Sequence, residues 1–419
     1  AQVTLAQLSS PIKVATTRSS MRSSQQHVLN MFVVTVALTA VGAAASVKPP
    51  LQTNGNQIVD FDGNSVRLAC VNWYGAHMER FVVNGLDKRP AADIAADLAK
   101  FGFNCVRLVF SNDLFFKNPS VDAEAVSANP ELVGLLAMDA FDAVVEALTS
   151  SGLMVILNNH VSKAGWCCDK SDGNGLWYTA EYPTRKWQSM WKHFARRYAS
   201  NPLVVGADLR NELREANGVA PEWGTGNSST DWRAAALHCG NAVLEENSNL
   251  LILVEGLNFA NILFANASLE SVYGANCQDC LVAKHPIQVS VPNRLVYSGH
   301  VYSWDFSDPH TFDTFADFEA AVEKTLTYVT TKGQPYTAPF WLGEFGANSQ
   351  DKYWKFIVQF LKKHTHLSWA YWAVDGYKTP GDDESYGIFE QDYKTIRHPW
   401  KLRALQSIQM SAMDGMVVV

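Results

Sequence analysis

Eight short β-rich runs recur between residues 66 and 408, at 67–72, 104–109, 153–158, 204–209, 250–255, 295–300, 340–344 and 368–373. Amphipathic stretches separate them, with helical patterns at 90–100, 138–150, 184–198, 230–246, 311–330 and 351–363. In the third of these, Trp187, Met190, Trp191, Phe194 and Tyr198 recur at spacings of three and four, which defines one buried helix face. The alternation carries no Gly-rich dinucleotide fingerprint. It therefore predicts an α/β fold of the (β/α)8 TIM-barrel type rather than an open doubly wound sheet. Neither a Pro- or Ser-rich linker nor an appended module follows residue 50, so we expect a single domain with elaborated βα loops spanning residues 46–419.

The first 45 residues read differently. They hold Lys13, Arg18 and Arg22 and no acidic residue, and residues 28–47 are nearly continuously apolar, passing through Ala43-Ala44-Ala45. A basic start, an apolar stretch and a small-residue end form the pattern of a secretory signal peptide, expected over residues 21–45 with cleavage after Ala45. Met21 stands just before Arg22, so residues 1–20 read as an upstream extension. A signal-anchor helix is the competing reading, disfavoured by the Ala-rich end and the lack of a basic flank. We expect a secreted protein.

Composition narrows the partners. With 47% hydrophobic and 18% charged residues the chain can bury a large core, which excludes disorder for most of it. A net charge of −7 and the lack of a basic stripe argue against nucleic acid. Thirteen Trp favour a protein that holds flat ligands, sugars above all. Seven Cys is an odd count, so at least one thiol stays free. Cys277 and Cys280 are the best disulfide candidates. Cys167 and Cys168 form a vicinal disulfide or pair elsewhere, and Cys70 and Cys105 read as buried thiols within strands. No set of Cys or His has the spacing of a metal site, and no cofactor is expected.

The functional signal is positional. In a barrel of this type, residues at strand C-termini converge on one mouth, where chemistry sits. Those ends carry Asn72-Trp73, Arg107, Asn159-His160, Arg210-Asn211-Glu212, His300 with Tyr302, Glu344 and Trp372. Glu212 follows the fourth run and Glu344 ends the seventh, which places the two carboxylates across the mouth from each other. Carboxyl groups about 5–5.5 Å apart suit retaining glycoside hydrolysis through a covalent intermediate. Arg107 is expected to hold the pKa of Glu344 down, and apolar surroundings to raise that of Glu212. The competing reading is a rim salt bridge for the two Glu residues and structural hydrogen bonding for the two His residues.

The ordered combination Asn159-His160, Leu209-Arg210-Asn211-Glu212, His300-Val301-Tyr302, Leu342-Gly343-Glu344-Phe345-Gly346 and Tyr371-Trp372 resembles glycoside hydrolase family 5, the cellulase-type retaining enzymes. The likeness runs from about Leu51 to Leu405. The string Gly165-Trp166-Cys167-Cys168-Asp169 with Asp172-Gly173-Asn174-Gly175 resembles a branch of that family found in plants and other eukaryotes. The resemblance implies Glu212 as acid/base, Glu344 as nucleophile, and Asn211 on the sugar 2-hydroxyl. It also implies Arg107 and Tyr302 orienting Glu344, His160 and His300 lining the sugar subsite, and Trp372 as the platform beneath it. Trp73 and Trp304, with Trp166 and Trp177, are further sugar-platform candidates, whereas Trp187, Trp191, Trp232 and Trp354 are expected in the core.

The implied activity is retaining hydrolysis of β-1,4-glucan without metal or cofactor, by a monomer acting on poly- or oligosaccharide. An exo-β-glucosidase, a β-mannanase and a glucosylceramide-type glycosidase are alternatives on the same fold. A catalytically inactive carbohydrate-binding barrel is the alternative of a different class, and it would have no use for an acid/base pair.

Overall fold

A computed structural model describes residues 47–169, 171–261, 280–303 and 312–409. The leader over residues 1–45, Trp304 and Cys277 lie outside the described residues. Eight parallel strands close into a barrel: β1 (Ala69–Trp73), β2 (Cys105–Ser111), β3 (Met154–Val161), β4 (Val204–Asp208), β5 (Leu251–Glu255), β6 (Leu295–His300), β7 (Phe340–Phe345) and β8 (Ser368–Tyr371). Each pairs with its sequence neighbour, and β8 closes the ring on β1 through Trp369↔Ala69 and Tyr371↔Val71. Around it lie α1 (Ala91–Lys100), α2 (Ala137–Ser150), α3 (Thr184–Arg197), α4 (Trp232–Glu246), α5 (Phe315–Thr325), α6 (Lys352–Lys363) and α7 (Pro399–Gln409). This is the (β/α)8 barrel that the alternation predicts. In this closed order β4 and β7 are separated by β5 and β6 rather than standing opposite. None of the described helices is long and apolar enough to cross a membrane.

The helices form for local reasons. In α3 the buried face is Trp187, Met190, Trp191, Phe194 and Ala195, and the last turn carries Arg196 and Arg197, which complement the helix dipole. Helix α5 starts at a capping box between Thr314 and Asp317, and α6 at Asp351, whose side chain accepts from the Trp354 N–H.

Side-chain alternation along the strands builds two inner layers. At the N-terminal end the inward residues are apolar: Cys70, Cys105, Met154, Ile156, Val205, Leu251, Leu253, Val296, Trp341 and Ala370 pack in one cluster. A hairpin of Gln52–Asn54 and Gln57–Val59 lends Leu51 and Ile58 to that cluster and closes the barrel floor. Two residues further along the same inward rows, the chain switches to polar side chains. Cys105 is followed by Arg107, Ile156 by Asn158 and His160, and Cys70 by Asn72, all buried.

Three expectations are corrected here. Cys70 and Cys105 form a disulfide rather than remaining thiols, because parallel pairing of β1 and β2 sets them directly opposite each other with Cα atoms 4.5 Å apart. Trp73 is not a sugar platform. It follows inward-facing Asn72, so the two-residue period turns it outward, where it is fully buried in the helix-facing core and its indole N–H bonds the Asn84 carbonyl. Trp177 is likewise fully buried.

Candidate active site

A cleft of about 840 Å³ opens at the C-terminal ends of the strands, with Glu212, Glu344, His160, Tyr302 and Trp372 in its walls. Asn72, Arg107, Asn211 and His300 lie buried directly beneath.

Arg107 is the hub of the floor. Its guanidinium is fully buried over the Trp341 ring and uses every N–H position. Nε donates to Asp208 at 2.8 Å, Nη1 to Glu344 at 2.5 Å and to Asn72 at 3.0 Å, and Nη2 to Asn211 and Glu255, each at 2.8 Å. A planar donor fork is the group that can bind several carboxylates at fixed angles, and lysine could not replace it. Glu344 is gripped from both sides, since the Tyr302 hydroxyl donates to its other oxygen at 3.0 Å. Gly343 makes room next to it: a Cβ there would lie 3.0 Å from the His300 ring.

Glu212 sits four residues beyond the end of β4, in the left-handed backbone region at φ 43°. Its backbone N–H donates to Glu255 at 2.7 Å, and its carboxylate meets His300 Nδ1 at 2.8 Å. His300 pairs with Glu344 in the β6–β7 register, and side-chain polar atoms of Glu212, His300 and Glu344 all lie within 4.8 Å of one another. One carboxyl group on each side of a small gap is the arrangement needed to protonate a leaving oxygen from one side and attack carbon from the other.

The electrostatics follow from burial and these neighbours. Burial pushes the Glu344 carboxyl above its usual value, and His300 and Arg107 only partly offset this, so the expectation of a depressed pKa is corrected. Burial also opposes charge on His300, but Glu344 and Glu255 outweigh it and hold the imidazole protonated well above its ordinary range. Glu212 faces that imidazolium rather than the apolar pocket the sequence suggested. Burial, with Glu255 close by, raises Asp208 to about 7 despite its bond to Arg107. Burial keeps His160 well below the usual imidazole value and brings His77 down to about 3, so both rings are neutral. A metal does not suit the Glu212–His300–Glu344 group, because His300 Nδ1 is engaged by Glu212 and Glu344 is already held by Arg107 and Tyr302.

Aromatic residues shape one wall. Trp372 stacks on Tyr74 with ring centroids 4.9 Å apart and on His160 at 5.6 Å, and it lines the cleft. His160 is fixed by a 2.9 Å bond to Asn158. Trp166, 42% exposed, stands at the cleft rim with the Lys378 ammonium 5.3 Å from its ring centre. Trp187, Trp191, Trp232 and Trp354 are core residues as expected. On the loop after β8, Lys378 and Glu384 line the cleft, whereas Asp383 pairs with Arg397.

Three functional residues escaped sequence reasoning. Glu255 and Asp208 end apolar runs and complete the shell of Arg107, and the strand-end rule that identified Glu344 would have found both. His77, edge-on to His160 at 4.8 Å, sits in a loop beyond β1 and carried no such signal. Of the disulfide candidates, Cys280 is disulfide-bonded and Cys167 and Cys168 bond each other; among the described residues Cys239 is a buried free thiol.

Residues 59–378 match the family described as Cellulase (glycosyl hydrolase family 5). An endoglucanase of Paenibacillus polymyxa is 35% identical over 365 residues, covering 85% of this chain and 86% of that protein. A glycosyl hydrolase 5 family protein of Chamaecyparis obtusa is 31% identical, covering 91% of this chain and 70% of its own. Among solved structures, the catalytic domain of the major endoglucanase from Xanthomonas campestris pv. campestris superposes with a TM-score of 0.70 at 27% identity, over 86% of this chain and 99% of that one. With its barrel, its paired carboxylates and these relatives, the chain belongs to glycoside hydrolase family 5 and is a glycoside hydrolase.

Proposed function

We propose that the protein is an exported endo-β-1,4-glucanase that retains anomeric configuration by double displacement. The observation that carries the reading is the juxtaposition of Glu212 and Glu344 oxygens within 4.8 Å, with Arg107 and Tyr302 both bonded to Glu344. Glu344 attacks the anomeric carbon while Glu212 gives its proton to the departing glycosidic oxygen. Glu212, now a base, then takes a proton from water as that water displaces Glu344 from the sugar. Arg107 and Tyr302 balance the charge of the Glu344 carboxylate before attack and after release. Asn211 has its carbonyl oxygen committed to Arg107, so its amide N–H group is the end available to the sugar 2-hydroxyl. Trp372 supports the ring of the sugar being cleaved.

The endoglucanase names of the relatives from Paenibacillus polymyxa and Xanthomonas campestris support β-glucan as substrate. Export is supported by the leader pattern over residues 21–45, and by the disulfides Cys70–Cys105 and Cys167–Cys168, which persist in oxidising compartments. The Xanthomonas relative is itself described as extracellular.

The test is turnover of 4-nitrophenyl β-cellobioside and of carboxymethylcellulose by wild type and E344Q, with the product anomer followed by NMR. Expected are β-anomer formed first, a viscosity drop ahead of reducing-end release, and loss of about 10³-fold or more in kcat for E344Q. An α-anomer as first product overturns the retaining mechanism, and an active E344Q overturns the nucleophile. Amino-terminal sequencing of protein from the medium, expected to begin at Ser46, checks export.

A further inference from the structure

The vicinal disulfide Cys167–Cys168 lies in the wall of the cleft, half-buried, beside the exposed Trp166. Its two sulfurs and a Glu212 carboxylate oxygen fall within 4.8 Å of one another. The Asn211 amide nitrogen lies 3.6 Å from Cys167 Sγ and 3.7 Å from Cys168 Sγ, so it donates to the disulfide as a pair of weak acceptors. At its other end the same amide accepts from Arg107 at 2.8 Å. Asn211 is thereby held between a buried cation and a sulfur pair.

The loop bearing the disulfide is itself fixed to the loop bearing Asn211. Asn174 accepts from the backbone N–H groups of Ser162 and Lys163 at 3.0 and 2.9 Å, and its carbonyl accepts from Arg210. Arg214 donates to the Asp169 carbonyl at 3.4 Å and pairs with Asp172. Both arginines are buried and flank the Asn211-Glu212 pair in sequence. The Cys-Cys turn therefore keeps a fixed place over the amide.

We propose that the Cys167–Cys168 disulfide is a positioning element for catalysis, which sets the tilt of the Asn211 amide toward the sugar 2-hydroxyl. The proposal rests on the Asn211 role given under Proposed function. Reduction by a dithiol breaks the S–S bond. Two electrons and two protons pass to the sulfurs, leaving two thiols, while the reagent closes to its own disulfide. Each thiol then rotates independently and presents a donor S–H as well as sulfur, so the paired acceptor facing Asn211 is lost. Because the 2-hydroxyl contact strengthens in the transition state, the loss falls on kcat and spares KM.

The experiment measures kcat and KM of oxidised enzyme and of enzyme treated with dithiothreitol, on 4-nitrophenyl β-cellobioside and on its analogue lacking the 2-hydroxyl at the sugar that bears nitrophenol. Differential alkylation and mass spectrometry identify the opened pair. Cys70–Cys105 is fully buried and serves as the internal control. Expected is a fall in kcat of about 10-fold on the cellobioside, the size of one hydrogen bond. KM and melting temperature stay unchanged, the 2-deoxy analogue is unaffected, and activity returns on reoxidation. The C167A/C168A variant should show the same pattern without reductant. Undiminished kcat with Cys167 and Cys168 alkylated overturns the proposal, and so does an equal fall on both substrates. Failure of the underlying reading looks different: oxidised wild type would be inactive, or E344Q active.

Discussion

The Glu255 carboxylate accepts the backbone N–H of Glu212 at 2.7 Å while its other oxygen accepts from Arg107 at 2.8 Å. A buried residue on β5 thus fixes the backbone of the proposed acid/base, which sits at positive φ, and ties it to the cation that holds Glu344. Both oxygens of Glu255 face donors. In E255Q the amide NH2 group must point at one of them, whichever way it flips. We expect a stability loss of about 1–3 kcal/mol and a drop of about 10-fold or more in kcat/KM. Denaturant unfolding together with cellobioside kinetics checks both, and wild-type kcat/KM in E255Q would remove Glu255 from the active site.

The raised Glu344 carboxyl sets the acid side of the pH profile. A nucleophile must be ionised, and ionisation is lost as pH falls through the folded-state pKa. The acid limb of kcat/KM is therefore expected above the ordinary glutamate value of about 4.3. A pH–rate profile from pH 3 to 9 measures it. An acid limb below 4 contradicts the balance of burial over Arg107 and His300.

His77 gives a separate, stability-side pH effect. Its folded pKa is depressed to about 3 by burial, so it stays neutral in the fold while the unfolded chain protonates. Its contribution is fully present above the unfolded value of about 6.5 and is lost as pH falls toward the folded one. Thermal melts of wild type and H77Q between pH 7 and 4 should show a shallower decline for the variant. Parallel declines would mean that His77 is not the group responsible.

Trp166 and Trp372 should separate by phenotype. Trp372 is stacked on Tyr74 and His160, whereas Trp166 is exposed at the rim. W166A is expected to raise KM for longer cello-oligosaccharides about 3- to 10-fold with an unchanged melting temperature. W372A should lower both activity and stability. Equal KM effects on cellobioside and cellohexaose in W166A would argue against an extended sugar contact there.

The Cys70–Cys105 disulfide closes a loop with a sequence separation of 35 and links neighbouring strands at the barrel floor. Chain-entropy reasoning assigns such a link about 4 kcal/mol. A C70A/C105A variant, read by guanidinium unfolding, should lose stability of that order and keep its KM, because neither cysteine lines the cleft. A change below 1 kcal/mol would show that the reduced chain is already restrained.

Much of the molecule was legible in the residues alone. The eight-fold alternation specified the barrel, because a strand buried on both faces and a one-sided helix have different hydrophobic periods. Strand C-termini then supplied Arg107, Glu212, His300 and Glu344, since polar groups at the end of an apolar run have no role in the barrel wall. What sequence could not supply was which residues meet. Cys70 and Cys105 are both strand residues in the sequence, and only the parallel register places them opposite each other. Trp73 and Trp372 both follow strand residues, yet strand phase sends the first outward to the helices and the second toward the cleft. Glu255 ends an apolar run like any other, and closure of the barrel brings it between Arg107 and the Glu212 backbone. Likewise the sign of the Glu344 shift depends on burial competing with two cations, a balance set by three-dimensional proximity. Periodicity is a local property of the chain and can be read along it. Contact and charge balance arise between residues far apart in sequence, and only the closed barrel determines them.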